Sequence, residues 1–257
     1  MSDFTGKRFV ITGAGTGIGA RITRRTIGKG ASVIGIYNTA ADEARKLEQE
    51  FPNAVKMLHA DLADPESIGG LADSLLGEGE LDGLVNNAGA IDFRKWDEFS
   101  IDEWRKVFAV NVDASVFLVH ALRNSFTGGA SIVNIASTDG MIGSFGSTAY
   151  SASKAAMLNV TKSLANLLGP DGLRVNAVAP GWINTGMSTD ASCAAGELTP
   201  LGRNGTPDEV AGVVEFLLGD DSRFVTGASI IVDGGYANVD TIMKQEYADL
   251  NKEGKNA

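Results

Sequence analysis

One cysteine, two histidines, six prolines and no basic run longer than Arg24-Arg25 set the first limits on this 257-residue chain. With Cys193 alone, no intrachain disulfide can form, which fits a reducing compartment. His59 and His120 lie far apart and have no cysteine near either of them. That is not a metal-ligand pattern, so both are expected to be structural and no metal is expected. Lys plus Arg number 22 against 32 Asp plus Glu, a formal charge of 22 − 32 = −10. That excess repels phosphate backbones and anionic lipid, so neither nucleic acid nor a membrane surface is an expected partner. No apolar run approaches the roughly 20 residues of a membrane helix. Residues Met1 to Arg8 show no apolar stretch before a cleavage site, so a cytoplasmic protein is expected. A GxxxxGK[ST] phosphate loop is also missing.

What is plentiful is glycine, 32 of 257 residues, where about 7% is usual. Such a surplus calls for tight turns or close backbone approaches. Val- and Ile-rich runs at Arg8–Thr12, Ser32–Tyr37, Ala54–His59, Gly83–Asn86, Ser131–Ala136, Arg174–Ala179 and Ser229–Val232 read as strands buried on both faces. Between them, Ile18–Ile27, Trp104–Leu122, Ala149–Leu168 and Asp208–Leu218 have helical spacing. The last is announced by Thr206 as a cap, Pro207 at the first position and then Glu209. This alternation predicts an α/β protein: a single-domain, Rossmann-type doubly wound sheet of about seven parallel strands flanked by helices. Residues 1–236 read as that domain. Residues 237–257 read as a C-terminal extension in which Ile242, Met243, Tyr247 and Leu250 have helical spacing, as a packed helix or a frayed tail.

The first strand runs into Thr12-Gly13-Ala14-Gly15-Thr16-Gly17-Ile18-Gly19. A glycine turn between strand one and helix one lets backbone amides meet a pyrophosphate at the helix N-terminus. Asn86-Asn87-Ala88-Gly89 closes the fourth strand, Ser137 the fifth and Pro180-Gly181-Trp182-Ile183-Asn184-Thr185 the sixth. Open α/β sheets bind ligands at that carboxyl edge. Tyr150 and Lys154, at i and i+4, project from one helix face. A phenol titrates near 10, and a cation one turn away is expected to lower it toward what acid–base catalysis needs. Ser137 can hydrogen-bond a substrate oxygen as charge develops on it.

The ordered set TGxxxGxG, NNAG, Asn, Ser, YxxxK and PGxxxT resembles the short-chain dehydrogenase/reductase family over about residues 5–236, in the manner of a 3-oxoacyl-ACP reductase. The resemblance implies a proton exchanged by Tyr150, a ribose held by Lys154 and a relay water anchored by Asn111, with Ser137 completing the catalytic set. It assigns cofactor contacts to Gly13, Thr16, Gly17, Ile18 and Gly19. Asp61 and Leu62 are placed at the adenine, Asn87 with Ala88 and Gly89 at the adenine ribose, and Ile183 and Thr185 at the nicotinamide carboxamide. An enoyl reductase of the same superfamily would space its tyrosine and lysine more widely. Strand two ends Tyr37-Asn38-Thr39 without the acid that would hold a ribose 2′-OH. This favours NADP over NAD, with Asn38 and Thr39 as contacts, although an arginine is missing there and at Thr16. Asp92, Arg94 and Asp97 are read as a solvated loop, and Trp182 and Met187 as candidates for an apolar substrate wall. The family implies a homotetramer or homodimer. Two functions stay open: hydride transfer between NAD(P)(H) and a carbonyl or secondary alcohol, or a non-catalytic NAD(P)-binding sensor or scaffold.

Overall fold

In the computed structural model, which describes residues 3–185 and 195–253, β1 (Arg8–Thr12) has parallel neighbours on both sides. They are β2 (Ser32–Tyr37) and β4 (Leu81–Asn86). The sheet continues through β3 (Val55–His59), β5 (Phe126–Ile135), β6 (Arg174–Pro180) and β7 (Ser229–Val232) in the order β3-β2-β1-β4-β5-β6-β7, every pair parallel. The order reverses between β1 and β4, and this switch point opens a crevice at the carboxyl ends of the strands.

Both faces of the sheet are covered. Ile22 of α1 (Gly17–Ile27), Leu47 of α2 (Ala41–Glu50) and Val210, Val214 and Leu217 of α7 (Pro207–Leu218) pack with Phe9, Ile11, Val85 and Val133 on one side. On the other, Leu71 and Leu75 of α3 (Pro65–Leu76), Leu118 and Leu122 of α5 (Ala114–Leu122) and Leu168 of α6 (Thr148–Leu168) meet Val10, Ile34, Leu84 and Ile132. Each of these fully buried Leu or Ile side chains contributes about 1.5–3 kcal/mol. Burial on both faces is why the strands read as continuous apolar runs instead of alternating ones.

Two elements depart most from the sequence expectation. β5 begins at Phe126, five residues before the apolar run, because Leu81 pairs with Phe126 ahead of a register shift. The intervening Thr127, Gly128 and Gly129 carry no apolar signal. The expected single helix Trp104–Leu122 starts earlier and is interrupted: α4 (Ile101–Phe108) passes through a π-helical turn, Ala109–Asp113, into α5. Such one-turn widenings shift a side chain out of the 3.6-residue register, and here the shifted residue is Asn111. The start of α7 does match. Thr206 Oγ1 accepts from the Glu209 amide, the Glu209 carboxylate accepts from the Thr206 amide at 2.8 Å, and Pro207 follows the cap. Beyond the sheet, α8 (Thr241–Glu253) leaves Ile242, Met243, Tyr247 and Leu250 exposed.

Candidate active site

The glycine turn is set by backbone geometry. Gly13 and Gly17 have φ of +65° and +52°, the left-handed region that a side chain resists. α1 starts at Gly17. Thr16 precedes it in extended conformation without capping it, and its first turn has no acid. The first amides of any helix have no carbonyl partner within it. Here they face the crevice at the positive end of the helix dipole, which is an anion site. The helix start is also packed tightly against the turn: a Cβ on Gly19 would stand 2.1 Å from the Gly13 carbonyl oxygen. Gly19 therefore supports the cradle from behind and does not line it.

Asn87 staples this turn to the end of β4. Its Nδ2 donates to the carbonyls of Thr12 (2.9 Å) and Gly13 (3.2 Å), and Thr12 Oγ1 accepts from the amides of Asn87 and Ala88, both at 3.0 Å. Both amide hydrogens of Asn87 are thus committed to the turn, leaving its carbonyl oxygen for a ligand. The crevice measures about 450 Å³. Gly13, Thr16, Gly17, Ile18, Asn38, Thr39, Asp61, Leu62, Asn87, Ala88, Gly89 and Thr185 all line it. Asn38 Nδ2 donates to Asp61 Oδ1 at 3.3 Å, tying the ends of β2 and β3 together, and Asp61 Oδ1 also accepts from the Ala63 amide. Sequence reasoning missed Tyr37, Ala40, Lys106 and Val110 in this wall. Lys106 and Val110 are one turn apart on the helix leading to Asn111, so their i, i+4 spacing was the available signal.

A second chamber of about 350 Å³ shares Ile18, Asn87, Gly89, Ala90 and Thr185 with the first. It is lined by Ser137, Tyr150, Lys154, Ile91, Trp182 and Ile183. Ile183 is held by a bridge to Gly205. Arg94 is closed into ion pairs with Asp92 (2.8 Å) and Glu103 (3.4 Å). Met187 and Cys193 lie outside the described residues. His59 packs edge-on against Tyr37.

Lys154 lies 5.5 Å above the Tyr150 ring centroid and donates to the Ile135 carbonyl at 2.8 Å. It is fully enclosed, and burial alone pulls its ammonium down to about 8. Burial also pushes the Tyr150 phenol up. The Ser137 hydrogen bond opposes this, and the charge of Asp139 adds to it. The sequence expectation was the reverse, a phenol lowered by Lys154. Removal from water penalises the phenolate, and this outweighs the Ser137 hydrogen bond that favours it. Ser137 Oγ accepts from the Asp139 amide at 3.1 Å, which leaves its proton free to donate.

Asn111 does not line either chamber. Its Nδ2 donates to the Ala90 carbonyl (2.9 Å) and Ser153 Oγ (2.8 Å), and its Oδ1 accepts from the Ala90 amide at 2.7 Å. Both amide hydrogens are used, so this side chain bolts the NNAG loop to α6. A cleft for a dinucleotide therefore opens onto a pocket where one phenol, one hydroxyl and one ammonium converge. That constellation can move a proton on and off an oxygen bound next to a hydride donor.

Known proteins are similar to this chain in sequence and fold. A family model described as "Enoyl-(Acyl carrier protein) reductase" matches residues 13–237. The chain is similar to cis-4-hydroxycyclohexanecarboxylate dehydrogenase of Sinomonas cyclohexanicum, 37% identical over 90% of this chain and 96% of that one. Among solved structures, a dehydrogenase/reductase from Sinorhizobium meliloti 1021 superposes with a TM-score of 0.87 at 36% identity, covering 92% of this chain and 97% of its own. An angucycline C-6 ketoreductase with bound NADP gives 0.86 at 29% identity, covering 92% and 97%.

Proposed function

Because the chain belongs to the short-chain dehydrogenase/reductase family, we propose that its two chambers act together as an NAD(P)-dependent oxidoreductase interconverting a secondary alcohol and a carbonyl. The observation that carries this is the convergence of Ser137, Tyr150 and Lys154 on the pocket that opens from the glycine-turn crevice. A sensor or scaffold would need the crevice and not the hydroxyl of Ser137. The CH–OH reading is further supported by the i, i+4 spacing of Tyr150 and Lys154 and by relatives named as dehydrogenases of cis-4-hydroxycyclohexanecarboxylate, meso-2,3-butanediol and cyclohexanol.

When bound, the nicotinamide supplies or accepts the hydride. In the reducing direction Tyr150 Oη gives its proton to the substrate oxygen as negative charge develops there. Ser137 Oγ donates a hydrogen bond to the same oxygen, and this bond strengthens with the charge. In the oxidising direction the tyrosinate takes the alcohol proton. Lys154, anchored on the Ile135 carbonyl, would hold the cofactor ribose. Asn111 keeps the loop and α6 in register. The apolar wall of Ile91, Trp182 and Ile183 suits an uncharged substrate.

NADP is the preferred cofactor in this reading. β2 itself ends without a carboxylate, the neighbouring Asp61 is engaged by Asn38 Nδ2 and the Ala63 amide, and Asn38 and Thr39 line the crevice there. The ketoreductase with bound NADP supports the same choice. Exposed Phe117 on α5 and Leu167 on α6 suit the homotetramer or homodimer that the family resemblance implies. No helix among the described residues is long and apolar enough to cross a membrane.

The test is consumption of NADPH and of NADH by the purified protein over a panel of neutral ketones, diketones, keto sugars and 3-oxoacyl thioesters. Turnover with NADPH faster than with NADH is expected. Saturable cofactor binding with no turnover on any member would support the binding protein instead. Thr39→Arg adds the missing cation beside the expected 2′-phosphate. It should raise the NADPH-to-NADH ratio of kcat/KM by about tenfold or more, since a charge-assisted bond contributes roughly 1.5–3 kcal/mol. An unchanged ratio would place the 2′ position elsewhere.

A further inference from the structure

The chamber around Tyr150 has one side in common with the cofactor crevice and one of its own. Ile18, Asn87, Gly89, Ala90 and Thr185 line both spaces, so that side belongs to the cofactor. What remains for the body of a substrate is the side of Ile91 and Trp182. Both line the chamber and yet stay 47% and 39% exposed, so the apolar wall continues out of the mouth. Residues 90–95 run with no helix or turn, and in extended chain alternate side chains share a side. Phe93, 68% exposed, therefore stands on the side of Ile91. The Arg94 amide donates to the Gly146 carbonyl at 3.1 Å, which ties this segment to the loop that follows Ser137. That loop carries Met141 and Phe145, both exposed. Large apolar side chains thus reach solvent from the segments after β4, β5 and β6, at the edge of the sheet where the chamber opens.

Charge is scarce along the same path. Among the described residues lining the chamber only Lys154 is charged, and it is committed to the Ile135 carbonyl. Arg94 is closed by Asp92 and Glu103, and Lys95 precedes a short helical turn bearing Asp97 and Glu98. We propose, resting on the hydride-transfer reading, that the substrate carries a bulky apolar group, an aryl ring or an alkyl chain of several carbons, on one side of the reacting carbon, and that Phe93 selects for it. The reacting oxygen sits at Ser137 and Tyr150, and the apolar group leaves between Ile91 and Trp182 to cover Phe93. An exposed apolar patch continuous with a pocket of convergent polar groups is what a ligand groove presents. Each methylene that moves out of water onto this wall adds affinity. A terminal carboxylate would give up its hydration and find no free cation in exchange. A short ketone fills the chamber but leaves Phe93 in water.

The experiment measures kcat/KM for reduction of 2-butanone, 2-hexanone, 2-heptanone, 2-octanone and 4-phenyl-2-butanone, with 5-oxohexanoate as a chain of similar length ending in a carboxylate. Calorimetric binding of the same compounds to the NADP-loaded protein is read in parallel. Along the alkyl series kcat/KM should rise by about fourfold per methylene, and 2-heptanone should exceed 5-oxohexanoate by about tenfold or more. Phe93→Ala should lower kcat/KM for 2-octanone and 4-phenyl-2-butanone by about tenfold, mainly through KM, and leave 2-butanone within about twofold. Phe93→Leu, which keeps an apolar side chain, should recover most of the loss. Phe224 is also exposed but lies at the opposite edge of the sheet, where Arg174 at the start of β6 bonds to Ser222 and Val225. Phe224→Ala should therefore change none of these values. A flat series, a preference for 5-oxohexanoate, or a Phe93→Ala loss as large on 2-butanone as on 2-octanone would overturn the proposal. A wild type that binds the series with rising affinity but turns over none of it overturns the hydride-transfer reading and leaves the apolar subsite standing. Flat binding without turnover overturns both.

Discussion

Tyr150→Phe is expected to lower kcat/KM by about 10³ while leaving cofactor affinity within about twofold. The size follows from what the substitution removes. A positioned general acid–base is worth roughly 10²–10⁴ in rate, and each factor of ten corresponds to about 1.4 kcal/mol of transition-state free energy. The ring itself stays. Phe fills the same space on α6 and still lies under the Lys154 ammonium, which is 5.5 Å from the ring centroid. The lysine also keeps its anchor on the Ile135 carbonyl. Ser137 loses one acceptor but retains the bond from the Asp139 amide, so the oxygen site is incomplete and not collapsed. Cofactor binding depends on the glycine turn and on Asn87, neither of which touches the phenol. A drop confined to turnover would fit proton transfer by Tyr150. A loss below tenfold would mean that another group, or water, carries the proton.

The glycine turn, the parallel strands and the Tyr–Lys pair were legible in the sequence because each depends on local pattern. Buried parallel strands leave continuous apolar runs, and helix caps leave Thr-Pro-x-Glu. Close backbone approach leaves glycine. What was not legible depends on several segments meeting. Nothing in the linear spacing shows the π turn that carries Asn111 inward, because its residues continue the apolar pattern of the helices on either side. The roles of Asn87 and Asn111 as staples follow from partners 75 and 21 residues away. The direction of the Tyr150 shift was misjudged for the same reason. Sequence spacing put a cation next to the phenol, but enclosure and Asp139 govern its ionisation, and enclosure belongs to the assembled chamber.

Asn111 and Asn87 also explain why a fold shared by many chemistries can hold its reacting groups steady here. One links the Ala90 loop to α6 through Ser153, and the other links the end of β4 to the glycine turn. The catalytic helix and the cofactor crevice are therefore referenced to the same short NNAG segment. A shift in either would have to break charge-neutral but buried hydrogen bonds. Leaving such groups unsatisfied costs about 1–3 kcal/mol each.

Gly19→Ala tests how tightly that reference is drawn. On an exposed helix the change would be stabilising, since alanine is the better helix former by about 1 kcal/mol. Here the sign reverses. The new Cβ would fall 2.1 Å from the Gly13 oxygen, 2.8 Å from its carbonyl carbon and 2.5 Å from Asn87 Nδ2. Two of those atoms are backbone in a turn already committed to positive φ at Gly13, so no side chain can swing away to relieve the contact. α1 must back off, taking its N-terminal amides out of line with the crevice. Overpacking of this kind costs roughly 1–3 kcal/mol of stability, occasionally more, and the amide cradle should lose at least tenfold to a hundredfold in cofactor affinity. Gly15→Ala is the matched control in the same turn. Its Cβ would meet Ala40 Cβ at 3.4 Å, an ordinary contact, so cofactor affinity and melting temperature should stay close to those of the parent. Fluorescence titration with NADPH and thermal unfolding of both variants separate the two cases. If Gly19→Ala binds as Gly15→Ala does, the helix start has more room than the close approach to Gly13 implies, and Gly19 is there for helix packing alone.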